Sequence, residues 1–209
     1  MSTAINLPAG TIPIAAEDEA RAGLYALLSR LLAAPPDAPL LQSIGAAELW
    51  VDDGGNPLAA AWNQLVLASQ TMDAEVAAQE YTELFLGVGR AECNLHSAYW
   101  LREPSLERPL VGVRADLAAL GLARQGGSTV YEDHLAALCE TMRILIVGAG
   151  DHPPAPVFTQ QTFFERRIQP WAFECCAVIQ QSPVANYYGH VAEFGKLFLA
   201  VERESFAIE

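Results

Sequence analysis

Apolar residues recur along this chain at three- and four-residue intervals almost from end to end, and no stretch alternates with a period of two. Such spacing gathers the apolar side chains of each segment on one helical face, so the chain is predicted to pack helix on helix. The first helix is predicted from Glu17 to Ala33. Glu17, Asp18 and Glu19 suit its positive end, Leu24, Leu27, Leu28, Leu31 and Leu32 form its stripe, and Pro35-Pro36 stop it. A short second helix is predicted from Asp37 to about Trp50. Asn56-Pro57, a cap followed by proline in the first turn, opens a third with Leu58, Trp62, Leu65 and Val66 inward. A fourth begins at Asp73 and carries Val76, Tyr81, Leu84 and Phe85 until Gly87 and Gly89 end it.

Residues 87 to about 104 read as a long loop, followed by a helix over Leu106–Leu120 with Gly121 at its end. Gly126-Gly127-Ser128 is a turn, and Thr129-x-x-Glu132 has the form of a capping box. The helix after it buries Leu135, Leu138, Met142, Leu145 and Ile146, and residues 148–156 make the clearest linker. Phe158–Gln181 is interrupted by Pro170, and a last helix is predicted from about Val184 to Glu204. The pattern predicts an all-α fold, a single bundle-like helical domain of about eight helices. A flexible N-terminal tail, 1–16, precedes a helical body, 17–209, with a hinge near 148–157. That hinge allows exchange of the C-terminal helices between two chains, and so a homodimer.

Composition narrows the function classes. At 209 residues with 52% hydrophobic and 18% charged side chains, the chain can bury a substantial core. A net charge of −13, from 25 acids and 12 bases, argues against nucleic acid, which needs clustered Lys and Arg. No apolar run reaches the roughly 18–20 residues that span a bilayer. The N-terminus lacks the basic and apolar regions of a secretory signal, so the protein is expected in the cytoplasm. Cys93, Cys139, Cys175 and Cys176 include no CxxC pair and read as buried thiols.

The most informative stretch is Glu80–Trp100. Tyr81, Leu84 and Phe85 lie at helical spacing, and the glycines lead into the aromatic loop Leu95-His96-Ser97-Ala98-Tyr99-Trp100. A helix that delivers such a loop suits a binding surface, although the same three residues also suit a plain core. A hydrolytic set would need Ser97, His134 and Asp133, but adjacent helical residues diverge by about 100° and there is no GxSxG elbow. No catalytic residue is therefore expected. Cys93-x-x-His96, joined by His134 or Cys139, has metal-ligand spacing but lacks the second tight pair of a structural zinc site. Gly87-Val88-Gly89-Arg90 lacks the ending of a phosphate loop. Two readings stay open from the residues: a specific binding protein, or a generic helical interaction or regulatory module.

Four elements, in order, carry a resemblance. They are Tyr81-x-x-Leu84-Phe85-x-Gly87 with Ser97-x-Tyr99; Asp133-His134-Leu135 after Gly121-Leu122; Ile168-Gln169-Pro170-Trp171; and Tyr187-Tyr188 leading to Phe198-Leu199-x-x-Glu202. Over roughly residues 17–204 this set resembles the TorD/DmsD-type redox-enzyme maturation chaperones, related to the NarJ group. The resemblance implies an all-helical protein with no cofactor of its own. It implies a partner as well: the twin-arginine signal peptide and apoprotein of a molybdoenzyme of the formate dehydrogenase, dimethyl sulfoxide or trimethylamine oxide reductase type. The chaperone would hold this partner until the molybdenum cofactor is inserted.

Carried over, the peptide-binding positions are Leu84, Phe85, Leu95, His96, Ser97, Tyr99, Asp133 and His134. The chain departs from the family pattern in two places. Cys93-Asn94-Leu95-His96-Ser97 stands where a Pro-Trp-Gly-Ser type loop is common, and Glu132 stands where proline is common. Such a peptide asks for an apolar groove, from Leu84, Phe85, Leu95, Tyr99 and Trp100, and for carboxylates that grip guanidinium forks. Glu80, Glu83, Glu92, Glu132 and Asp133 are the candidates, Asp133 foremost.

Overall fold

A computed structural model describes residues 14–87, 91–101, 108–124 and 130–208, which form ten α-helices and one π-helical turn. The two additional helices relative to the expected eight come from a short helix within the predicted loop and from the break at Pro170. Helix α1, Ala16–Ala33, lies along α7, Leu135–Val147, in the most extensive helix pairing of the fold. Its buried stripe is Ala22, Tyr25, Leu28, Leu31 and Leu32; Leu24 and Leu27, predicted inward, are only half-buried. Tyr25 took their place because α10, Tyr187–Ile208, crosses there and sets Phe198 edge-on to its ring at 4.8 Å. α10 in turn packs on α3, Pro57–Thr71, and on α9, Ala172–Gln181, while α8, Val157–Arg167, packs on α7.

Local caps set several boundaries. Asp37 accepts from the Leu40 N–H and opens α2, Ala38–Gly45. This helix stops at Gly45 rather than near Trp50, and Gly45 lies so close to Gln70 of α3 that the Gln70 backbone is 3.2 Å from where a side chain would begin. Trp50 instead stacks on Trp62, centroids 5.2 Å apart. Asn56 caps α3 through the Ala59 N–H, and Asp73 caps α4, Ala74–Tyr81, through Glu75 and Val76.

The predicted continuation of α4 through Phe85 widens at Thr82 into the π-helical turn Thr82–Leu86, closed by Gly87 at φ +59°. Val76 on α4 is half exposed. The loop contains the short helix α5, Ser97–Trp100, and α6 runs from Pro109 to Ala119. Thr129 of the predicted capping box and residues 1–13 of the predicted tail, 1–16, lie outside the described residues. The N-cap of α7 is His134. Pro170 splits the next segment into α8 and α9 as expected, and α10 starts at Tyr187 rather than Val184.

One buried carboxylate ties these parts together. Glu80, 7% exposed, accepts the backbone N–H groups of Asn186, Tyr187 and Tyr188 at 2.8, 3.0 and 2.7 Å. It supplies the negative charge that the start of α10 needs, from a helix far away in sequence. The phenols of Tyr81 and Tyr188 donate to the Leu32 and Leu31 carbonyls, which the end of α1 leaves open. The four cysteines are free and buried. Among the described residues no helix is long and apolar enough to cross a membrane.

Candidate functional site

The loop before α5 is pinned at both of its sides. The Cys93 N–H donates to the Leu84 carbonyl at 2.9 Å, tying the loop to the π-helical turn. Two residues later the chain runs antiparallel to the start of α7: Leu135 N–H donates to Leu95 O at 2.8 Å, and Ser97 N–H to Asp133 O at 3.0 Å. Inside this bridge the Asp133 carboxylate accepts from His96 Nδ1 at 3.0 Å and from the Ala98 N–H at 3.2 Å. Trp100 closes the loop by donating from Nε1 to Asn94 O at 2.8 Å, with its ring stacked at 6.4 Å on Trp171.

The electrostatics reflect burial and partners. Burial of Asp133 opposes its charge, yet the bonds from His96 and the Ala98 N–H hold the carboxyl below its ordinary value. An ionised Asp133 has no proton to give, so His96 Nδ1 is the donor in their bond. His134, 6% exposed, stacks edge-on to His96 at 4.8 Å, and its Nδ1 accepts the Ala136 N–H at 3.1 Å. Burial, and next the neighbouring His96, push the His134 pKa down to about 4. The ring is thus neutral at pH 7, as a capping acceptor must be.

These commitments decide what the cluster does. The Ser97–His134–Asp133 set does not assemble: Asp133 holds His96, His134 Nδ1 is spent on its own helix, and Ser97 Oγ is buried without a partner. Cys93 and His96 do not converge either, since Cys93 Sγ lies 3.6 Å from Cys175 Sγ and His96 is turned to Asp133. Among the described residues no three His, Cys, Asp or Glu side chains gather as metal ligands.

Of the eight predicted positions, the structure brings five together: Leu95, His96, Ser97, Asp133 and His134. Leu84 joins them through its carbonyl, with its side chain sealed at 0% exposure. Leu95, Ser97, Asp133 and His134 are also buried, whereas Phe85, His96 and Tyr99 are partly exposed. Phe85 stands edge-on to Tyr81 and Tyr188, at 5.0 and 5.1 Å. Tyr99 packs edge-on against Trp100. Among the suggested carboxylates, Glu80 is spent on α10, while Glu83 and Glu92 are exposed.

A cleft of about 540 Å³ opens beside this cluster, between the end of α1, the end of α6, the outer face of α7 and the turn at 149–152. None of the eight predicted residues lines it. Leu117, Leu122, Ala136, Ala137 and Ile144 give it apolar walls, and Glu132, Glu140, Arg124 and His152 stand among its polar groups. Glu132 is held by Arg114 through two bonds of 3.0 and 3.1 Å, which keep its carboxyl below the ordinary value. Glu140 is held by Arg143 at 2.7 to 3.0 Å. The sequence carried one sign of this cleft: α7 has Ala137 and Ile144 in addition to its buried stripe, more apolar surface than one core face uses.

The nitrate reductase delta subunit family matches residues 52–177, more than half of the chain. No curated protein matches. Among solved structures, the chain is similar to a putative redox enzyme maturation protein from Archaeoglobus fulgidus, with 15% identity and a TM-score of 0.53 over 95% of this chain and 99% of that one. At that identity the likeness speaks for the fold, and the family match speaks for the lineage. The matched segment holds the π-helical turn, the pinned loop, the Asp133–His134 start of α7 and the Pro170 break. The chain belongs to the nitrate reductase delta subunit family.

Proposed function

We propose that this protein is a cytoplasmic maturation chaperone that binds the twin-arginine signal peptide and the apoprotein of a molybdoenzyme, and releases them once the cofactor is in place. The observation that carries the reading is the Asp133–His96 bond within the bridge between residues 95–97 and 133–135. It fixes an aromatic loop against the start of a helix whose outer face borders an apolar cleft. In this reading His96, Tyr99 and Phe85, the partly exposed members, touch the client. Leu84, Leu95, Ser97, Asp133 and His134 hold them in place.

The physical demand is simple. A signal sequence has a basic start and an apolar stretch, which aggregates or enters export early if left free. Burying each large aliphatic side chain gains about 1.5–3 kcal/mol before ordering costs, so a few contacts give useful yet reversible affinity. The acidic chain, at −13, draws the basic end. Co-expression tests the reading with client precursors of the formate dehydrogenase, dimethyl sulfoxide reductase and trimethylamine oxide reductase types. The precursor of the true client is expected to co-purify with this protein, and the same subunit without its leader to co-purify much less. Equal recovery of both forms from every precursor rejects signal-peptide recognition.

A further inference from the structure

We propose that Glu132 and Glu140 on the α7 cleft are the seats for the arginine pair of the client peptide, and that Arg114 and Arg143 occupy them until the client arrives. This rests on the signal-peptide reading above and adds to it a place and a competition. Both carboxylates line the cleft, one just before the first turn of α7 and the other a little over one turn along it. Each already grips a guanidinium side-on through paired bonds: Arg114 on Glu132 at 3.0 and 3.1 Å, and Arg143 on Glu140 at 2.7 to 3.0 Å. Neither arginine lines the cleft, so the carboxylates belong to it while their partners hold them from outside.

The resident pairs are suited to exchange. In the first pair the Arg114 side chain is 50% exposed over a Glu132 at 12%, and in the second Arg143 and Glu140 are 28% and 43% exposed; pairs with one member open to solvent hold weakly. A guest arginine presents the same planar fork, so the carboxylate loses nothing in geometry when the partner changes. Lysine offers a point charge without the fork and exchanges less well. The apolar walls at Leu117, Leu122 and Ile144 receive the peptide's apolar stretch, so charge and shape select one occupant: a peptide with paired arginines next to a run of apolar residues. The released Arg114 and Arg143 compete for the seats throughout, which keeps the complex reversible.

The test is a titration of the full chain with a labelled synthetic peptide, two arginines and then about a dozen apolar residues of signal type. Arg114→Ala and Arg143→Ala are expected to tighten binding, each by up to about fivefold, the factor that a weak exposed pair represents. Glu132→Gln and Glu140→Gln are expected to weaken it, with far-UV circular dichroism unchanged. Arg203→Ala, a cation over the Phe173 ring and not of the cleft, is the control for net charge. Tightening by Arg203→Ala equal to that by Arg143→Ala, or none by either Arg114→Ala or Arg143→Ala, overturns the exchange while leaving the signal-peptide reading intact. A wild-type chain that binds no such peptide overturns both.

Discussion

Asp133 holds the ring of His96 at 3.0 Å across a separation of 37 residues, and it uses its other oxygen on the Ala98 N–H. One buried carboxylate thereby fixes both the side chain and the backbone of the loop that leads into α5. Asp133→Asn keeps the size and loses the charge. The expected cost is about 1–3 kcal/mol, the range for a charge-assisted bond in a buried place. Hydrogen exchange should show residues 95–101 opening faster, with α3 and α10 unchanged. Uniform acceleration across the chain would mean that Asp133 supports the core as a whole and not the loop.

Glu80 predicts a different outcome. Its three bonds hold the start of α10, which packs on both α3 and α9. Glu80→Gln replaces one acceptor oxygen by a donor facing N–H groups, and should destabilise by about 2–3 kcal/mol in urea unfolding. The loss should appear in global stability rather than in local opening of the loop. A variant with the wild-type midpoint would show that water serves the start of α10 as well as the carboxylate does.

Acid should weaken the fold through His134. Its value is about 4 in the folded chain against an ordinary 6.5, so between these the unfolded state holds a proton that the folded state refuses. Stability therefore rises with pH from about 4 to 6.5 and is lost on acidification through that window. Asp133, held below its ordinary value, adds loss in the same direction at still lower pH. Going from pH 7 to 5 should cost about 2 kcal/mol from His134 alone. His134→Asn, a capping residue that does not titrate, should flatten the slope in urea midpoints measured at both pH values. An unchanged slope in that variant would assign the acid sensitivity elsewhere.

Gly148 ends α7 at φ +79°, and a Cβ there would meet the His152 carbonyl at 2.4 Å. Backbone conformation and space both exclude a side chain. Gly148→Ala should destabilise by at least about 2 kcal/mol and should also disturb the cleft, which His152 and Ala149 line. Gly150, also at positive φ but with open space around it, should tolerate alanine better. The pair compared by thermal melts checks the argument.

The features legible in the sequence were those whose partners lie within a few residues. Asp37 bonds Leu40, Asn56 bonds Ala59 and Asp73 bonds Val76, so the starts of α2, α3 and α4 came from spacing alone. Pro170 announced its own break. Bonds that close through space left no such trace. Glu80 reaches a backbone 106 residues on, and its side chain gives no sign of that in a helical pattern. The π-helical turn was hidden for another reason: Leu84 and Phe85 keep plausible helical positions whether one turn widens or not. The pairing of Asp133 with His96, rather than with its neighbour His134, depends on the bridge between residues 96 and 134. The cleft escaped because its walls come from α6, the segment after it and α7, residues far apart in the sequence that no motif joins.

The central claim is that this chain recognises the arginine pair of a signal sequence, and calorimetric titration with two peptides tests it most directly. One carries Arg-Arg before an apolar stretch, and the other is identical but for Lys-Lys. The account predicts binding of the first, weakened by salt, and roughly tenfold weaker binding of the second, because lysine cannot grip a carboxylate through a fork. Equal affinity for the two, or no heat with either, would contradict it.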